Sequence, residues 1–179
     1  GDVSVDRWYA PYVYGLAQSG ILSGYRDSRG KPTGEYGPEN SVTYGEIAKM
    51  VVEAAGISIK SSVPQNRSAR NEWSAEYVSS LEAIGVSVFD RASLDVNDPA
   101  PRGAIVQILL EAFNVSIQEA NGNTYSDVPA SHSYASAIET ATADSIVSGD
   151  DGASTFRPNS SVNRAEVAKI VSRTIEEYK

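Results

Sequence analysis

Two arginines stand where a sequence can prepare a site for an anion. Arg102 follows Pro101 and Arg164 follows Asn163, and each arginine falls in the first turn of a predicted helix. Backbone N–H groups at a helix N-terminus attract negative charge, and a guanidinium adds two parallel donors that match a carboxylate. The two residues therefore predict recognition of an acidic group. The alternative is a solvated or ion-paired surface arginine.

Two tryptophans, Trp8 and Trp73, stand just before other apolar helical segments. An indole ring can stack on the apolar face of a sugar while its N–H donates to a hydroxyl. The same ring can pack into the core at the start of a helix. Both interpretations stay open for each residue.

Other reactive groups do not form the pattern of a catalytic or metal site. His132 is the only histidine and there is no cysteine, which excludes thiolate and disulfide chemistry. Acidic residues are plentiful, but none forms an obvious catalytic pair. Asp27-Ser-Arg-Gly and Asp150-Asp-Gly lack the alternating ligands and the terminal Glu of a calcium loop. We therefore expect no enzyme, no metal site and no cofactor.

The chain repeats one pattern three times, which predicts the elements that hold these residues. The repeats are residues 1–57, 58–115 and 116–179, the second being degenerate. Since a unit of about 60 residues rarely buries its apolar face alone, we expect one cooperative domain. The third copy reads Tyr125-Ser-Asp-Val, His132-Ser-Tyr-Ala, Ile146-Val-Ser-Gly149, Thr155-Phe-Arg-Pro-Asn159 and Val162-Asn-Arg-Ala-Glu166-Val-Ala-Lys.

Each copy contains two helical blocks, so the predicted fold class is mostly α. Apolar residues recur at helical spacing in both blocks, and Gly20 and Gly85 follow two of the first blocks as C-terminal glycines. The apolar faces of the second blocks are Ile47, Met50, Val51 and Ala54; Ile105, Ile108, Leu109 and Ala112; and Val167, Ile170, Val171 and Thr174.

The second blocks begin with helix-capping signals in two copies. Thr43-x-x-Glu46 and Asn163-x-x-Glu166 have the spacing of a capping box, in which the first side chain accepts an early N–H and the Glu reaches back. The second copy has Pro101 there instead, and Asp98 is its alternative cap. Glu46 and Glu166 resemble binding residues, but this structural role is sufficient for both.

Composition narrows the classes of partner. The chain has 179 residues, is 41% apolar and carries a formal net charge of −8. Nucleic-acid binding is disfavoured because it needs a basic face, and no apolar run is long enough to insert into a membrane. No charged-then-apolar leader begins the sequence. If the protein is exported, we expect that its signal peptide is absent from this chain.

The order of these segments resembles the S-layer homology (SLH) domain. The residues that carry the resemblance are Asp2-Val, Trp8, Gly20-Ile-Leu-Ser-Gly24-Tyr, Thr155-Phe-Arg-Pro-Asn and Val162-Asn-Arg-Ala-Glu-Val-Ala-Lys. The match extends over nearly the whole chain as three tandem copies. It implies three helix–loop–helix repeats in a pseudo-threefold assembly around a central helical bundle, with binding grooves between adjacent repeats.

The resemblance also implies a set of carbohydrate-binding residues. The family's Thr-Arg-Ala-Glu motif, whose Arg meets an acidic sugar, appears as Asn163-Arg-Ala-Glu, as Pro101-Arg-Gly-Ala and, without the Arg, as Thr43-Tyr44-Gly-Glu. Tyr44 could stack on a sugar or leave its groove without a ligand. The family Trp is kept as Trp8 and Trp73 but is Ser133 in the third copy, so we expect one or two working grooves.

Two further pairs belong to family positions. Asp2 and Asp127 either bind sugar hydroxyls or cap a turn, and capping is favoured. Gly24 and Gly149 are expected in left-handed turns, where they would also let the backbone approach a ligand.

The resulting hypothesis is non-covalent anchoring of an exported bacterial protein to the cell wall, without catalysis. The implied partner is an acidic secondary cell wall polysaccharide, often carrying ketal-linked pyruvate, and the implied location is the extracellular wall or S-layer. Other S-layer subunits are partners expected through the rest of the parent protein. The alternatives are a protein–protein assembly module with degenerate repeats and a glycan-cleaving enzyme.

Overall fold

The computed structural model describes residues 1–150 and 154–179. Within them the protein is mostly helical, as predicted, and strand pairing is limited to isolated bridges. Two short 3-10 turns lie at Arg67–Ala69 and Ser87–Asp90. The six α-helices are α1 (Ala10–Gln18), α2 (Tyr44–Ala55), α3 (Ala75–Ala83), α4 (Arg102–Ala112), α5 (Ala135–Ala143) and α6 (Arg164–Tyr178).

Helices α2 and α6 begin at the predicted capping boxes. The Thr43 hydroxyl accepts from the N–H of Glu46 at 3.2 Å, and the Glu46 carboxylate accepts from the N–H of Thr43 at 2.9 Å. Asn163 and Glu166 form the same reciprocal pair. Helix α4 has no side-chain cap, so Asp98 does not replace the missing group.

The second helix of each repeat lies at the centre. Helices α2, α4 and α6 contact one another, and each first helix packs on the second helix of the preceding repeat: α3 on α2, α5 on α4, and α1 on α6. The predicted apolar faces are buried, except that Ala112 is only partly so. These contacts agree with a pseudo-threefold assembly, whose symmetry stays a prediction.

Backbone hydrogen bonds link the repeats in a closed ring. The first two N–H groups of α2, at Tyr44 and Gly45, donate to carbonyls of the second repeat at 3.1 and 2.8 Å. Those of α4 donate to Ser160 and Pro158 of the third repeat, both at 2.9 Å. Those of α6 donate to Asn40 and Pro38 of the first repeat, at 2.9 and 3.0 Å.

This ring occupies the N–H groups that the sequence predicted to be open to an anion. N–H groups at a helix start have no partner within the helix and would otherwise be open to an anion. Here the N–H groups of Arg102 and Arg164 already donate to loop carbonyls. Any anion recognition must therefore come from side chains.

No helix among the described residues is long and apolar enough to span a membrane.

Candidate functional site

Two clefts of similar construction lie between repeats. The third-repeat groove has a volume of about 740 Å³ and runs along Ile146–Gly149 and α6. The first-repeat groove, of about 790 Å³, runs along Ile21–Gly24 and α2. Each groove takes its arginine from the preceding repeat around the ring and its tryptophan from the following one. Arg102 and Trp8 thus line the third-repeat groove, and Arg164 and Trp73 line the first-repeat groove.

The third-repeat groove is lined by more cations than anions. Arg102, Arg157, Lys169 and Arg173 line it, against Asp150 and Glu166 among the described residues. The protein as a whole carries a net charge of −8. A cationic cleft on an acidic protein is a local feature that concentrates anionic ligands there.

Both tryptophans lie at the groove edges and are largely exposed. Trp8 is 55% exposed and Trp73 is 59% exposed, which excludes the core-packing alternative. The Lys169 ammonium lies 5.6 Å from the centre of the Trp8 ring. An exposed indole beside a cation offers a stacking surface for a sugar next to a donor for its acidic or hydroxyl groups.

Arg102 is held in the third-repeat groove by contacts that leave part of its guanidinium uncommitted. Its Nη2 donates to the carbonyl of Ser148 at 3.1 Å, and its Nη1 is 3.9 Å from a Glu166 oxygen. One face of the guanidinium lies over the Phe156 ring. Burial lowers the pKa of Arg102, and Glu166 opposes that shift.

Arg164 is enclosed in the first-repeat groove. Its Nη1 forms a 3.0 Å ion pair with Glu46, and its Nη2 donates to the Ser23 carbonyl at 2.9 Å. The guanidinium packs against the rings of Tyr25 and Tyr36, 4.8 and 4.5 Å from their centres, and the residue is only 4% exposed. Arg164 is therefore the ion-paired arginine that the sequence offered as the alternative to a ligand-binding one, but it is buried and not at the surface. These contacts give it a structural role.

The predicted glycines line the grooves, but Gly24 does so for another reason than expected. Gly149 lines the third-repeat groove and Gly24 the first-repeat groove. Gly24 has no positive φ, so the left-handed turn predicted for it is wrong. A Cβ at Gly24 would lie 2.6 Å from the carbonyl oxygen of Glu35, so this glycine permits close approach of the chain to itself.

Asp2 and Asp127 hold loops, which is the alternative that the sequence favoured. The two carboxylate oxygens of Asp2 accept from the N–H groups of Tyr36 and Gly37 at 2.7 and 2.6 Å. Asp127 accepts in the same way from Phe156 and Arg157, at 2.8 and 2.7 Å. Burial raises the pKa of Asp2, but these backbone donors outweigh it and lower the pKa below its usual value.

The equivalent position in the second repeat is occupied by aromatic rings. Phe89 stands where the other copies have Gly24 and Gly149, and it is 2% exposed. Tyr44 contacts it edge to face, with ring centres 6.4 Å apart. Burial beside Tyr134 raises the pKa of Tyr44 to about 12. Tyr44 therefore packs against its own chain, and no exposed Trp lies beside it because Ser133 takes that place.

Sequence reasoning missed several groove residues. Lys49 and Lys169 occupy the same position in two copies, so their recurrence was a usable signal. Arg157 and Arg173 carried no such signal, because the equivalent residues in the first copy are Gly37 and Glu53.

A metal site finds no support among the described residues, which contain no group of three His, Cys, Asp or Glu side chains suited to an ion. Of Asp150-Asp-Gly, only Asp150 lies among them. His132 is near the surface, with Nε2 3.2 Å from the Asn159 side-chain oxygen.

Comparison with known proteins defines the class to which this fold and these grooves belong. The S-layer homology domain model matches residues 3–48 and 124–168, together more than half of the chain, and the chain belongs to this family. The two matches leave out residues 58–115, so the repeat predicted for that segment stays a prediction.

Curated relatives are proteins of the bacterial cell surface. S-layer protein EA1 of Bacillus anthracis and an S-layer protein of Bacillus licheniformis are each 25% identical to this chain over 99% of its length. An uncharacterized cell wall amidase of Bacillus anthracis is 27% identical over 81% of it. The chain spans only 20% of either S-layer protein and 28% of the amidase. At the family level, these findings indicate a cell-surface protein with an anchoring role at the cell wall.

Proposed function

We propose that this chain anchors its parent protein to the cell wall by binding an acidic secondary cell wall polysaccharide in the third-repeat groove. The observation that supports this most is the groove's combination of cations with the exposed ring of Trp8. The side chains of Arg102, Lys169 and Arg173 supply donors for a carboxylate, such as that of a pyruvate ketal.

Catalysis is not part of the proposal. The likeness to the amidase extends over 28% of that protein, and its named activity is not carried to this chain. Glu46 and Glu166 are the two carboxylates in the grooves that belong to capping boxes, and both also face an arginine. Their oxygens are thus committed to backbone N–H groups and cations.

The first experiment is co-sedimentation with purified cell walls, before and after hydrofluoric acid removes the attached polysaccharide. We expect the protein to sediment with untreated walls and to stay in solution after stripping. Undiminished binding to stripped walls would overturn the proposal and favour a protein or peptidoglycan partner.

Matched lysine variants test the groove itself. Lys169→Gln removes one positive charge inside the third-repeat groove, and Lys60→Gln removes one from an exposed position outside both grooves. A hydrogen bond to a charged group contributes about 1.5 kcal/mol or more, so wall affinity should fall about tenfold for the first variant. It should change less than twofold for the second. Equal losses would show general charge attraction and no site in this groove.

A further inference from the structure

We infer that the first-repeat groove is a second binding site with a different preference, for a neutral sugar unit. The inference rests on the proposed function, because both grooves would bind units of the same wall polymer. It divides the recognition between an acidic-unit site at Trp8 and a neutral-unit site at Trp73.

Arg164 is not available to an acidic ligand. Its two Nη atoms are bound to Glu46 and Ser23, and two tyrosine rings pack against the guanidinium. In the third-repeat groove, Arg102 has a ring on one face only, and its distance to the nearest carboxylate oxygen is 3.9 Å instead of 3.0 Å. Asp150, which also lines the third-repeat groove, occupies the position that Tyr25 has in the first copy. A carboxylate can therefore reach Arg102 without displacing an aromatic ring.

The first and third repeats also differ in charge at two equivalent positions. Arg173 lines the third-repeat groove on α6, whereas the equivalent residue on α2 is Glu53, which does not line the first-repeat groove. Arg157 also lines the third-repeat groove, and its equivalent is Gly37. Both backbones are left-handed there, with φ of 59° and 69°, and a non-glycine residue in this region is strained. The third repeat thus has an arginine, Arg157, at a left-handed position where the first repeat has a glycine, Gly37, which adopts that conformation without strain.

Apart from Arg164, the lining of the first-repeat groove is mainly uncharged. Leu22, Tyr25, Met50 and Trp73 give it an apolar and aromatic lining, and Asn97 and Thr43 add uncharged polar groups. Arg26 and Asp27 also line it, but Arg26 donates to the Gly30 carbonyl at 2.7 Å and Asp27 accepts from two N–H groups of the same loop. Lys49 lies with its ammonium 3.4 Å from the Ser23 hydroxyl. Stacking surfaces with uncharged donors and acceptors suit a sugar that carries hydroxyl or amide groups and no carboxylate.

The two tryptophans allow each groove to be observed separately. The chain has only Trp8 and Trp73, one for each groove. Trp73→Phe leaves Trp8 as the fluorescent reporter of the third-repeat groove, and Trp8→Phe leaves Trp73 as the reporter of the first. Phenylalanine keeps an aromatic ring in the altered groove. Each variant would be titrated with the purified acidic polysaccharide and with the same polymer after its carboxyl groups are reduced to alcohols.

The expected results differ between the reporters. The Trp8 signal should saturate with the acidic polymer and need at least tenfold more of the reduced one. The Trp73 signal should saturate with both polymers at concentrations within threefold of each other. A Trp73 signal that is silent, or that weakens tenfold on reduction, would overturn the inference while a normal Trp8 response leaves the proposed function standing. A silent Trp8 with the acidic polymer would instead overturn the proposed function.

An exchange of charge supplies an independent check. In the Trp8→Phe background, Glu53→Arg places on α2, at the position equivalent to Arg173, the cation that α6 has there. We expect the Trp73 signal to gain at least fivefold preference for the acidic polymer, with an unchanged far-ultraviolet circular dichroism spectrum. Arg173→Glu in the Trp73→Phe background should abolish most of the preference at Trp8. Preferences that stay unchanged in both variants would show that these positions do not set the difference.

Discussion

Replacing Arg164 by alanine should destabilise the protein far more than replacing Arg102. The Arg164 side chain is 5% exposed and pairs with a Glu46 side chain that is 18% exposed. Removing one partner of a buried ion pair costs about 3–5 kcal/mol, and the partial exposure of Glu46 points to the lower end of that range. Loss of the two tyrosine contacts adds about 1 kcal/mol. We therefore expect Arg164→Ala to lower the free energy of unfolding by about 4 kcal/mol.

Arg102→Ala is the natural comparison. Arg102 has one ring contact, one hydrogen bond to a carbonyl and a carboxylate 3.9 Å away. A hydrogen bond from a charged group contributes about 1.5–3 kcal/mol, and we expect a loss of about 2 kcal/mol. Urea unfolding followed by far-ultraviolet circular dichroism would measure both. In thermal unfolding, Arg164→Ala should lower Tm by about 8–16 °C at this chain length.

A double-mutant cycle with Glu46→Gln identifies the cause. The two Glu46 oxygens have separate partners, one on Arg164 and the other on the N–H of Thr43. Glutamine keeps an acceptor for the capping box but removes the charge. The double variant should recover about 1–2 kcal/mol relative to the sum of the single losses, because no uncompensated carboxylate is left. A cost below 1 kcal/mol for Arg164→Ala, or one equal to that of Arg102→Ala, would refute the structural role.

Four other substitutions should have effects that can be told apart. Gly24→Ala places a Cβ 2.6 Å from the Glu35 carbonyl oxygen and should cost about 1–3 kcal/mol, whereas Gly15→Ala meets nothing within 4 Å inside α1 and should stabilise by about 0.5–1 kcal/mol. Burial raises the pKa of Tyr36 from 10.0 to about 12. The contribution of the neutral phenol to the free energy of unfolding is fully present below pH 10 and is lost as the pH rises towards 12. Tyr36→Phe should reduce this loss of stability at alkaline pH. Arg157→Gly should leave stability within about 1 kcal/mol, because relief of backbone strain offsets a largely exposed ion pair, while weakening wall binding at least threefold.

Each of these has an outcome that contradicts it. Equal effects of the two Gly→Ala changes on urea unfolding would contradict the close approach at Gly24. An alkaline stability profile unaffected by Tyr36→Phe, measured by circular dichroism from pH 9 to 12, would contradict the burial argument. Unaltered wall affinity in Arg157→Gly would remove that arginine from the site.

Local patterns made the helices predictable. The capping boxes at Thr43 and Asn163 and the apolar faces of α2, α4 and α6 depend on residues three or four positions apart, which a sequence displays directly. The mostly helical fold follows from these signals. Helix α4 lacks a cap, yet its apolar face alone was sufficient to predict it.

The assembly of the grooves was not predictable in the same way. A groove combines an arginine from one repeat with a tryptophan from another, so its composition depends on the order in which repeats meet around the ring. Trp8 and Arg102 lie 94 positions apart in the sequence and line the same cleft. The difference between Arg102 and Arg164 depends on Tyr25, whose position beside Arg164 is a tertiary contact. The sequence predicted that the N–H groups at the helix starts face a ligand. Their actual partners are carbonyls of a different repeat, which local sequence does not reveal.

The ring of backbone hydrogen bonds has a consequence for how such a protein can change over evolution. Those bonds join N–H and C=O groups, so they are indifferent to which side chain stands at Tyr44, Arg102 or Arg164. A repeat can have a tyrosine in place of its arginine, or a phenylalanine such as Phe89 in place of a groove glycine, and still form these backbone hydrogen bonds. Under the proposed function, a lineage whose wall polymer acquires a new substituent could therefore alter one groove by point substitution while the other groove keeps the protein on the wall.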